Sequence, residues 1–194
     1  MGRRPMITGH FGLAAGVKSG ARQVPLWALM LATVWLDVLF VPLVLAGVEG
    51  FEDAPGTDGG YGDGIIHADW THSLAGALLI AGLTGWLCIR WWGRLGGLTI
   101  GAVVFSHWVL DLLVHRADMP VLPGDLGDLP RLGFGLWQHH VLTAAIEAAL
   151  LLAGAMLYHR AARRTGGPIA RVNLITALIV AGGAVTLGLD LAGL

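Results

Sequence analysis

Four acids of this 194-residue chain, Asp37, Asp111, Glu147 and Asp190, stand inside long apolar stretches. Histidines accompany them at His72, His107, His115, His139 and His140. An ionised carboxylate at the middle of a membrane costs at least about 2.5–3.5 kcal/mol, so each needs a partner. The same stretches hold almost no lysine or arginine. Imidazoles and carboxylates that converge without a basic group form the donor set of a divalent cation, with zinc the best match. His107, Asp111 and His115 recur every four residues, which places them about 40° apart in one stripe of a helix. Glu147 follows His140 by two turns on the same face, whereas His139 and His140 diverge by about 100°, so one of the two faces the site. Zinc in such a site lowers the pKa of bound water from about 15.7 to about 7, and two metals about 3.5–4 Å apart can clamp a phosphodiester. Asp37 or Glu147, if not fully coordinated, would serve as general base. Plainer readings stand beside this one. His107 and Asp111 could be a simple hydrogen-bonded pair between helices, and Asp37 a neutral carboxyl bonded to a carbonyl. Asp190, close to the C-terminus, is expected to reach outer water.

These residues need apolar helices to carry them. Hydrophobic residues make up 55% of the chain and charged residues 13%, with a mean hydropathy of +0.70. A soluble domain carries about 25% charged residues, so this surface is expected to face lipid. Apolar stretches near 24–47, 70–89, 95–114, 136–158 and 172–194 each approach the length of a membrane-spanning helix. The expected fold is therefore all-α: one membrane-embedded domain over residues 1–194, a bundle of about five transmembrane helices. The N-terminal segment lacks the apolar core of a cleavable signal, so the first span is read as an uncleaved anchor. Many of the 30 glycines lie within spans, where small residues allow close helix approach. The eight tryptophans suit membrane interfaces.

Charge sets the expected orientation. Arg3, Arg4, Lys18, Arg22, Arg90, Arg94, Arg160, Arg163, Arg164 and Arg171 all fall at one side of the bundle, ten of the twelve basic residues. The acids Glu49, Glu52, Asp53, Asp58, Asp63 and Asp69 fall at the other, with Gly, Pro and Asp turns as in the stretch 54–60. The positive-inside rule makes the N-terminus cytoplasmic and the C-terminus external. On that reading Asp37, His72, His107, Asp111, His115, His140 and Glu147, from four spans, meet in the outer half of the membrane. Net charge of −1 and a pI near 6.7 leave no electrostatic footprint for nucleic acid. The lone Cys88 excludes an internal disulfide or a thiolate-rich metal site.

The segment Met6-Ile7-Thr8-Gly9-His10-Phe11-Gly12, then Asp37, Trp70-Thr71-His72-Ser73 and Ser106-His107-Trp108-Val109-Leu110-Asp111 occur in that order. Together they resemble the YdjM-type family of inner-membrane metal-dependent hydrolases, which is similar to the zinc-dependent phospholipase C and P1 nuclease group. The resemblance covers roughly residues 6–147 and implies one to three zinc ions in a bacterial inner-membrane protein. It implies Asp37, His72, His107 and Asp111 as ligands of one metal, with Asp111 bridging to a second bound by His10. A further metal would use His115, His139 or His140, and Glu147. Charge places residues 1–23 in the cytoplasm, and the apolar run 6–17 is too short to span. His10 would reach the site only on a short re-entrant segment buried in protein.

The expected function is hydrolysis of a phosphoester in a lipid or lipid-linked substrate at the outer leaflet, with membrane lipids as partners. The alternatives are an ion- or proton-handling transporter and a non-catalytic assembly protein. The first would need polar residues continuing to the inner face, and the inner halves of the spans are nearly free of them.

Overall fold

The computed structural model describes residues 7–53 and 64–192. Arg3, Arg4, Met6, Asp58, Asp63 and the turn over 54–60 lie outside the described residues. The chain is mostly helical: α1 (Thr8–Lys18), α2 (Leu26–Ala32), α3 (Trp35–Leu45), α4 (Leu74–Val114), α5 (His140–Arg164) and α6 (Ile169–Leu191). Two short strands, β1 (Gly50–Asp53) and β2 (Gly64–His67), pair antiparallel between α3 and α4, with Gly50 opposite His67. This hairpin is an addition to the expected helical fold. Four-residue strands are too short for periodicity to reveal, and a Gly- and Asp-rich loop hides them.

Three helices, α4, α5 and α6, are long and apolar enough to cross a membrane, or four crossings if the bent pair α2–α3 counts as one. The two stretches expected at 70–89 and 95–114 correspond to the two arms of α4, which breaks at Trp92 and Gly93. Gly93 has φ +66°, a left-handed conformation that glycine adopts without strain. Beyond the break α4 folds back on itself. A Cβ on Gly85 would stand 2.8 Å from the Gly97 carbonyl, and one on Gly101 would stand 3.0 Å from that of Ala81. That register continues to the open end, where the Trp108 indole N–H donates to the His72 carbonyl at 2.8 Å. Ser73 caps the first arm by accepting from the Gly76 N–H at 3.0 Å.

The helices α2 and α3 meet at a 48° bend. Val34, at φ −117° and ψ 16°, leaves the helical conformation there. Leu29, Leu36, Val103, Val104 and Trp108 pack α2 and α3 against the second arm of α4. α1 is the short N-terminal segment, eleven residues with Thr8, Gly9, His10, Gly12, Ala14 and Ala15 buried. It lies along α5 in a backbone-to-backbone seam: Gly12 touches the Leu150 carbonyl, and Gly154 touches the Gly12 carbonyl. Gly9 meets Glu147 at one end of this seam and Gly16 meets Leu157 at the other. α1 therefore runs within the bundle, with residues 8–15 packed along α5. Close packing on α5 places them there.

The outer surface of the long helices is apolar. Leu174, Leu178, Val185 and Leu191 of α6 are each more than half exposed. The expected span edges shift by a few residues, because hydropathy marks the apolar stretch and not the helix end. Arg160, Arg163 and Arg164 simply extend α5.

The α1–α5 seam leaves no room for a methyl group. Gly154→Ala is expected to destabilise the fold by about 1–3 kcal/mol through overpacking. Gly82, with nothing within 4 Å of its Cβ position, provides the control. Thermal unfolding in detergent should show a lowered midpoint for Gly154→Ala and none for Gly82→Ala.

Candidate metal centre

The fold-back of α4 sets His72, just before the first arm, beside His107 on the second. Their Nε2 atoms are 3.3 Å apart. The break between α2 and α3 contributes twice. Asp37, in the first turn of α3, lies 3.5 Å through Oδ1 from both Nε2 atoms. The Thr33 carbonyl at the bend meets His107 Nδ1 at 2.7 Å. Asp111, one turn beyond His107, brings Oδ2 to 3.1 Å from His107 Nε2 and 3.6 Å from His72 Nε2. Four ligand atoms from three elements are thus separated by 3.1–3.6 Å along the five edges just given.

The Asp37–His72–His107 edges, 3.3–3.5 Å, fit a metal. A tetrahedral zinc with bonds of about 2.0–2.1 Å requires ligand atoms about 3.3–3.4 Å apart. The proton placement fits as well. A carbonyl oxygen only accepts, so His107 Nδ1 donates to Thr33, and in the neutral ring its Nε2 carries a lone pair. Thr71 Oγ1 spends its one hydrogen on Glu49, at 3.0–3.1 Å, and so accepts from His72 Nδ1 at 2.8 Å. His72 Nε2 is then a lone pair too. Two inward lone pairs between two carboxylates need a cation or a captured proton, and the outer hydrogen bonds are those that orient metal-bound histidines.

Asp111 divides its oxygens. Oδ1 turns away from this group toward His10 Nε2, 3.6 Å distant. His10 is buried, and neither of its ring nitrogens has a hydrogen-bond partner among the described residues. His10, His107 and Asp111 form one group of donors and Asp37, His72 and His107 another, with His107 common to both. Glu147 is buried beside Gly9, accepts from its backbone N–H, and leaves Oε2 without a hydrogen-bond partner among the described residues. His115 presents Nδ1 to Asp118 Oδ1 at 3.1 Å and borders the same cavity as Asp37, His72 and Asp111.

His139 and His140 are exposed, and the structure does not bring them into either group. They sit at the start of α5, beyond the stretch that packs on α1, so both remain uncovered there. Asp190 is buried, 5% exposed, close enough to Glu147 for the two carboxylates to interact. It does not reach outer water, because α6 packs its last turns against the α1–α5 seam, where Thr8 Oγ1 meets Thr186 Oγ1 at 2.6 Å.

Sequence reasoning missed four supporting residues. Glu49 and Asp118 read as solvated loop acids, yet both are buried. Glu49 gathers the Trp70 and Thr71 N–H groups at 2.8 Å each, besides the Thr71 hydroxyl. Thr71 next to His72 is the one local signal, since a hydroxyl beside a ligand can orient it. Thr33 acts through its carbonyl, which no side chain announces.

Comparison with family models, curated proteins and solved structures gives no match. The reading of the site rests on its geometry.

Glu49→Gln and Thr71→Val should each weaken zinc affinity by about 10–100-fold, the usual effect of losing an orienting partner. Competition against a fluorescent zinc chelator in detergent measures this. Glu52→Gln, on the exposed hairpin pair with His67, should leave affinity unchanged.

Proposed function

We propose that the chain is a membrane-embedded, metal-dependent hydrolase that cleaves a phosphoester in a lipid or lipid-linked substrate. The observation that carries the proposal is the facing pair of imidazole lone pairs between Asp37 and Asp111. The resemblance to the YdjM-type hydrolases points the same way. Asp37, His72, His107 and Asp111 would hold one zinc ion, and His10 with the second oxygen of Asp111 would begin the site of another. One to three ions are within reach of these donors, His115 and Glu147 included.

When bound, the ion would lower the pKa of water and polarise the phosphoryl oxygen. The protein's own groups do the rest. His72 and His107 are fixed in orientation by Thr71 and Thr33. Asp37, the most exposed of the four ligands at 22% of its side chain, has Oδ2 unpartnered among the described residues. That oxygen would take the proton of the attacking water. A bond from water oxygen to phosphorus forms, the bond from phosphorus to the leaving alcohol oxygen breaks, and the proton ends on that alcohol. Glu147, buried behind His10, is a second candidate to hold a proton.

The proposal includes five crossings, with α2–α3 as one, each arm of α4 as one, and α1 as a short re-entrant helix. Lys18, Arg22 and the arginines of α5 share the end near Tyr158 and Thr165. That end would face the cytoplasm of a bacterial inner membrane, and the cluster would open toward the outer leaflet.

Turnover of a fluorescent phosphodiester lipid in mixed micelles tests the activity. Zinc-loaded protein should hydrolyse it, and Asp37→Asn should cut turnover by about 10²–10⁴-fold. Failure of the zinc-loaded wild type to cleave any of a panel of phosphomonoester and phosphodiester lipids would overturn the reading.

A further inference from the structure

One cavity of about 400 Å³ opens onto the cluster and reaches away from it along α3. One end is polar, formed by Asp37, His72, Asp111 and His115. Its walls are apolar: Phe40, Val41, Val44 and Leu45 on α3, faced by Phe51 of β1 and Ile66 of β2. Phe40 joins the two regions, edge-on to Phe51 at 5.1 Å and edge-on to the His72 ring at 5.7 Å. Asp37 is the ligand that borders the opening, whereas the side chains of His107 and Asp111 are only 2% and 6% exposed.

This polarity defines an amphiphile. The volume lies within the range of about 300–1,000 Å³ that suits a small-molecule site, with apolar walls and few convergent polar groups. The walls offer nothing to a sugar, a peptide backbone or a free phosphate. They match the methylene chain of a lipid, and the polar end matches its phosphate. The open side exposes Val41 at 55% and Leu45 at 84%, an entrance more suited to lipid than to water. We propose that the groove between α3 and the β1–β2 hairpin holds one acyl chain of a lipid whose phosphoester lies at the Asp37–His72–Asp111 end. The substrate class is accordingly a single-chain phospholipid or one chain of a larger one. The inference rests on the hydrolase reading for its catalytic meaning, but the binding itself needs no turnover.

The probe is a palmitoyl lysophosphatidate carrying a mid-chain diazirine, photolysed with the detergent-purified full chain and mapped by peptide mass spectrometry. Labels should concentrate on residues 40–45 and on Phe51, and excess unlabelled lysophosphatidate should displace them while glycerol phosphate does not. Val44→Trp, which fills the groove, should reduce this labelling about tenfold, equivalent to losing about two methylenes of buried chain. Leu98→Trp, on an exposed face of α4, should leave it unchanged. Labels spread evenly over the lipid-facing helices, or unaffected by Val44→Trp, would overturn the inference. Zinc content measured on the same samples separates the two claims. Specific labelling of a chain that takes up no zinc defeats the hydrolase reading alone, and zinc with unspecific labelling defeats the groove alone.

Discussion

Two neutral imidazoles that have each committed the Nδ1 hydrogen to a fixed acceptor turn a bare nitrogen inward, and here both turn Nε2 to the same point. The His72 and His107 Nε2 atoms stand 3.3 Å apart, with Asp37 and Asp111 oxygens on either side. Lone pairs and carboxylates repel at that distance, and burial strengthens the repulsion by removing water. A divalent ion at the centre turns each of these repulsions into an attraction. The rest of the arrangement reads as the means of holding these donors around His107.

The means are breaks in helices. A straight α4 of 41 residues would carry His72 and His107 to opposite ends. The break at Gly93 and the glycine-lined fold-back bring them side by side. A continuous α2–α3 would pair the Thr33 carbonyl with its own helix, whereas the bend releases it to His107. Interrupted helices are tolerated among membrane helices where neighbouring groups satisfy the freed backbone. Here the group that satisfies it is a ligand of the candidate metal. The glycine seam between α1 and α5 serves a similar end, since only backbone contact lets so short a helix bury His10 beside Asp111.

What could be read from the sequence follows from cost. Asp37, His72, His107 and Asp111 stand out because charge among apolar residues must be compensated, so their types alone predict that they meet. The apolar lengths of α5 and α6 are legible for the same reason. Glu49, Asp118 and Thr71 sit in polar loops where an acid or hydroxyl costs nothing in the extended chain, and only the folded loop reveals their burial. His139 and His140 show the converse error. Helical spacing aligned His140 with Glu147, but spacing cannot tell where the neighbouring helix ends. The fold-back of α4 gave two apolar stretches around Arg90 and Arg94, and the sequence alone did not show that one broken helix carries both.

The central claim is that the cluster holds a metal and not a shared proton. Its most direct test is metal content by mass spectrometry on detergent-purified protein after dialysis against zinc, with His107→Ala measured beside the wild type. The account predicts at least one ion per wild-type chain, and its loss in a His107→Ala protein that keeps its helical circular dichroism. Wild-type protein that stays folded and metal-free would contradict it, and would leave a protonated imidazole as the cation between the two carboxylates.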